Sequence, residues 1–116
     1  MEDKFKNHVN ILKKDGKAIL DSLTPEKCDL LHMSIGISGE ALELQDAVKK
    51  HVIYEQDLDI ENVIEEIGDI LFYTQGAINI LGLDLNEIIQ HNIDKLSKRY
   101  PSGYSNDGAR NRADKD

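Results

Sequence analysis

The chain has 116 residues, a formal net charge of −8 and a pI near 4.9, which suits one domain with a single core. The acidic balance argues against nucleic acid or an anionic membrane as a partner, while leaving room for a small phosphate ligand bound through metal. The lone Cys28 excludes an intrachain disulfide and fits a reducing compartment. The opening MEDKFKNHVN lacks the apolar run of a signal peptide, and no stretch reaches the roughly 20 apolar residues of a membrane span, so a soluble, cytoplasmic protein is expected.

Residues 1 to about 20 place Phe5, Val9, Ile11, Leu12, Ala18 and Ile19 at helical spacing, and one amphipathic helix is expected despite Gly16. Thr24, Pro25 and Glu26 form a strong start signal: a capping hydroxyl, a residue suited to the first helical position, and an acid at the positive end. The helix they open runs to about Val52 with two apolar stripes. One is Leu30, Met33, Ile37, Ala41, Leu44, Val48 and Val52; the other is Leu31, Ile35, Leu42 and Ile53. Two stripes imply partners on two sides. Gly36 and Gly39 mark a potential kink.

YEQDLDIEN reads as a loop, with Asp59 capping the next helix. That helix carries Ile60, Val63, Ile64, Ile67, Ile70, Leu71, Ala77, Ile78 and Leu81, and ends at Gly82. Asp84 with Glu87 resembles a capping pair for a further helix, whose inner line is Leu85, Ile89, Ile93, Leu96 and Tyr100 and which Pro101 stops. The fold class is therefore all-α, a bundle of four to five helices, with residues 1–105 as one helical domain and 106–116 as an irregular polar tail.

The chemistry lies in two acidic pairs. Glu40 and Glu43 sit in GEALELQDAVKK; Glu66 and Asp69 sit in ENVIEEIGDILFY. An i, i+3 spacing puts both carboxylates of a pair on one helix face. Glutamate pairs on helices are common and mostly just solvated. Here both pairs border apolar stripes, so packing the two helices would bring four carboxylates together, an arrangement that needs cations. Oxygen ligands favour Mg²⁺ or Mn²⁺. Zinc usually takes N and S ligands, and a di-iron bundle would show Glu-x-x-His, a spacing that none of the four histidines makes. Asn92, Lys95 and Arg99 form a polar line on the last helix. Its two cations either complement the helix dipole or meet phosphate oxygens opposite the metal. Tyr73 follows Asp69 by one turn, as packing or as a contact to substrate.

The ExxE of Glu40 and Glu43, the ExxD of Glu66 and Asp69 followed by LFY, and the later NIDKLSKRYPSGYS together resemble the MazG family over roughly residues 28 to 106. These are all-α nucleoside triphosphate pyrophosphohydrolases, and the small phage-type members are the most similar. The resemblance implies a Mg²⁺-dependent cleavage of an NTP or dNTP between its α- and β-phosphates, giving a monophosphate and pyrophosphate. It implies that Glu40, Glu43, Glu66 and Asp69 bind metal, with Mn²⁺ a substitute, and that Lys95, Arg99, Asn92 and Tyr73 contact the nucleotide. It also implies a homodimer or homotetramer, and inclines the substrate toward a purine deoxynucleotide such as dGTP. One departure is that Gly39 precedes Glu40 where the family often has a second glutamate; Glu65 is a potential replacement. The competing readings are a dUTPase- or dCTPase-like pyrimidine triphosphate hydrolase and a non-catalytic helical dimer acting as an adaptor.

Overall fold

The structure, a computed structural model, describes residues 1–115. In chain order the elements are α1 (Glu2–Leu12), α2 (Gly16–Ser22), α3 (Pro25–Val52), α4 (Ile60–Leu81), α5 (Leu85–Arg99), α6 (Asn106–Asn111) and a terminal 3₁₀ turn (Ala113–Lys115). No strand occurs among the described residues, and the all-α class stands.

The helix ends follow local chemistry. Thr24 accepts from the Lys27 amide with Pro25 behind it, and Asp59 accepts from the Asn62 amide. Asp84 takes two amides, those of Asn86 at 2.7 Å and Glu87 at 3.2 Å. Each cap satisfies amides that the first helical turn leaves without a partner. Gly82 closes α4 at φ 64°, the left-handed conformation that glycine adopts without a Cβ clash.

Two expectations change. The N-terminal helix is two helices, because the chain leaves helical geometry after Leu12 and restarts with Asp15 as cap. The polar tail is not irregular: it forms α6, capped by Ser105, and the 3₁₀ turn. At Gly36 and Gly39, α3 continues as one unbroken helix.

The one extensive interface between helices is that of α3 with α4, an antiparallel hairpin. Its loop is tied by His51 Nδ1 donating to the Gln56 carbonyl at 2.7 Å. Part of the first stripe of α3 faces this interface: Leu30, Met33, Ile37 and Leu44 are half-buried, whereas Ala41, Val48 and Val52 are exposed. Gly36 lies under the ring of Tyr73 and Gly76 under the Met33 side chain, so both glycines leave room that a Cβ would fill. That close approach is what glycine supplies here.

Among the described residues the second stripe stays uncovered: Leu31, Ile35, Leu42 and Ile53 are all exposed. Among the described residues the only buried apolar side chains are Ala47 and Ile78. The radius of gyration is 20.0 Å, against about 13 Å for a compact domain of roughly this length. α5 packs on α6 and the 3₁₀ turn. One chain is thus an all-α fold centred on the tight α3–α4 hairpin, with its other helices as open arms.

Candidate metal centre

Glu40 and Glu43 project from the face of α3 that also carries Ala47, one turn further on and 7% exposed. A small residue there lets α4 approach, and the acidic pair is drawn toward the interface with it. Glu66 meets the pair from α4 and is 6% exposed. Carboxylate oxygens of Glu40, Glu43 and Glu66 all lie within 4.8 Å of one another. Asp69 is exposed and stands outside this trio, though its charge still acts on Glu66.

The electrostatics are those of a cluster short of cations. A hydrogen bond with Glu40 pushes the Glu66 carboxyl up to about 7, helped by burial and by the charges of Glu40, Glu43 and Asp69. The buried Glu66 Oε2 has no hydrogen-bond partner. A buried oxygen left bare is costly, and a bound cation would satisfy it. The residues therefore fit a divalent ion on donor type, on spacing and on this orphaned atom.

Around the trio, Tyr73 is half-buried against Gly36, with its ring 6.1 Å from His32 and edge-on to Phe72 at 5.2 Å. A hollow of about 430 Å³, lined by Leu42, Glu43, Asp46, Lys50 and Asn62, opens beside Glu43. Asn92, Lys95 and Arg99 lie apart on α5, and none of them is among the groups acting on Glu66. Arg99 is engaged elsewhere: its Nε and Nη2 donate to the Asp114 carboxylate at 2.7 and 3.1 Å. That bond raises the arginine and holds the Asp114 carboxyl below its usual range. The sequence carries no signal for this pair, whose members are 15 residues apart in different elements.

Helices that place a carboxylate trio and an orphaned buried oxygen at one crossing define an all-α protein with an acidic cluster of the kind that can hold a divalent cation. The sequence places it within a family: residues 29–104 match the MazG nucleotide pyrophosphohydrolase domain, and the chain belongs to that family. It is by that membership a hydrolase acting on phosphoanhydride bonds of nucleoside triphosphates. The Gene 37 protein of Mycobacterium phage L5 is 31% identical over 80 residues, which cover 64% of this chain and 68% of that relative. No solved structure matches the chain.

Proposed function

We propose that the chain hydrolyses a nucleoside or deoxynucleoside triphosphate between the α- and β-phosphates, releasing a monophosphate and pyrophosphate. The supporting observation is the trio of Glu40, Glu43 and Glu66 with its unsatisfied Glu66 oxygen. These three would hold Mg²⁺, or Mn²⁺ in its place, with Asp69 as an outer carboxylate at the edge of the group that is not fully committed to the ion. When bound, the ion supplies positive charge against phosphate oxygens and Lewis acidity toward the bond that breaks. Asp69, outside the trio, is the carboxylate left to accept a proton from the attacking water.

Lys95 neutralises phosphate oxygens, joined by Arg99 once it is released from Asp114, Asn92 orients one, and Tyr73, packed against Gly36, borders the nucleotide. Because α5 packs away from the hairpin, its basic line meets the acidic trio of another copy, and the working form is a homodimer or homotetramer. The exposed stripe of α3 and the exposed Ile64, Ile67 and Leu71 of α4 support that assembly. Burying one such side chain is worth about 1.5–3 kcal/mol. The proposed workplace is the cytoplasm, where nucleoside triphosphates are found; no helix among the described residues is long and apolar enough to cross a membrane.

The test is pyrophosphate release from all natural NTPs and dNTPs with Mg²⁺ and with Mn²⁺, dGTP first. Turnover should vanish in Glu43→Ala and in Asp69→Ala while helical circular dichroism is kept. Turnover that survives both changes overturns the assignment, and a response confined to dUTP or dCTP favours the pyrimidine reading.

A further inference from the structure

The C-terminal segment caps its own helix and folds back on the end of α5 through two separate contacts. Ser105 Oγ accepts from the Gly108 amide at 2.9 Å and opens α6. Gly108 lies so close to the Arg99 carbonyl that a Cβ would stand 2.7 Å from its oxygen. Asp114 receives Arg99 through two bonds, and its side chain is 2% exposed. This two-bond geometry is the strong form of an arginine–carboxylate pair, and burial protects it from screening.

The contacts build something beyond a fastened end. Between α5 and the 3₁₀ turn lies a hollow of about 290 Å³ lined by His91, Asp94, Lys95, Lys98, Asp114 and Lys115. Three ammonium groups face two carboxylates, and one of these, Asp114, is already neutralised by Arg99. On a chain of net charge −8, this is a locally cationic concavity. Lys95 and Lys98 come from α5, whereas Lys115 comes from the 3₁₀ turn that the Arg99–Asp114 pair fastens to α5.

We propose that this hollow binds the phosphate oxygens of a polyphosphate chain, with Lys95, Lys98 and Lys115 as its cations and Asp114 as the positioning residue that docks Lys115 and orients Arg99. It deepens the triphosphate reading of Lys95 and rests on it for the identity of the natural ligand. Lys98, Asp114 and Lys115 thereby join the substrate site, and the terminal segment becomes part of the phosphate-binding machinery.

The probe is inorganic pyrophosphate without divalent ion, so that the acidic trio contributes nothing to affinity. Calorimetry on the full chain should show binding that weakens by about five- to tenfold in Lys98→Gln and in Lys115→Gln, the loss of one charge-assisted contact each. Their melting temperatures should match the parent, since both are surface lysines. In turnover, Asp114→Asn should raise KM for the triphosphate several-fold and leave kcat within about twofold, a split that a merely structural role would not produce. Should Asp114→Asn fail to fold, the two lysine variants carry the test. Undiminished pyrophosphate binding in both of them overturns the proposal, as does a parent protein that binds no pyrophosphate. Lysine-dependent binding in a protein that hydrolyses no triphosphate would support the hollow and count against the pyrophosphohydrolase mechanism alone.

Discussion

The ring of Tyr73 on α4 occupies the space that a side chain at Gly36 on α3 would need. One turn from Gly36, Glu40 joins Glu43 and Glu66 in the acidic trio. The glycine thus sets how closely the two helices cross beside the acidic trio. Gly36→Ala should destabilise by about 1–3 kcal/mol, the usual result of overpacking a fitted interface. Gly39→Ala, in the same helix with open space around its Cα, should stabilise by about 0.5–1 kcal/mol through helix propensity. Urea unfolding of the two variants, read for opposite signs, checks the contact.

Glu66 titrates in the wrong range for a free carboxylate. Its folded value of about 7 lies above the ordinary 4.5, so its contribution to stability is fully present below about pH 4.5 and is lost as the pH rises through 7. Without divalent ion, the protein should therefore melt at a lower temperature at pH 8 than at pH 5, and Glu66→Gln should flatten that slope. The difference between the parent and variant melting curves across pH isolates this group from the rest.

A divalent ion should reverse the effect. Mg²⁺ or Mn²⁺ must displace the proton that Glu66 holds, so apparent affinity should climb between pH 6 and pH 8. Saturating ion at pH 8 should raise the melting temperature of the parent, by the mass-action rule that a ligand of the folded state stabilises it. Glu43→Gln and Glu66→Gln should each remove most of that rise. An equal rise in all three proteins would place the ion elsewhere.

The open stripes should be closed by self-association. Sedimentation should give a mass at least twice the 13.1 kDa of one chain. Replacing Ile64 and Leu71, each 63% exposed, with aspartate should shift that mass toward the monomer and lower helical content, because the apolar face would lose its cover.

Much of this was legible before folding. Thr24, Asp59, Gly82 and Asp84 mark helix ends at their observed places, since a cap is a bond spanning two or three residues. The i, i+3 acidic pairs follow from the helical period alone. The second stripe of α3, Leu31, Ile35 and Leu42, announced a second partner, and the single chain leaves it open. The N-terminal break was missed because Gly16 reads as a weak helical residue when its role is to begin a new helix. The tail was missed because its composition is polar throughout; its order comes from the buried Arg99–Asp114 pair and the close seat of Gly108, not from apolar burial.

The sequence by itself determined the helices, their caps and the pairing of carboxylates along each face, because these depend on bonds and periodicities reaching no more than about one or two helical turns. Tertiary structure alone decided that Glu40, Glu43 and Glu66 converge while Asp69 stays at the margin, that Tyr73 rests on Gly36, and that Asp114 captures Arg99. Those outcomes turn on how closely and in what register separate segments cross, and a shift of one helical residue, about 1.5 Å, would change every partner.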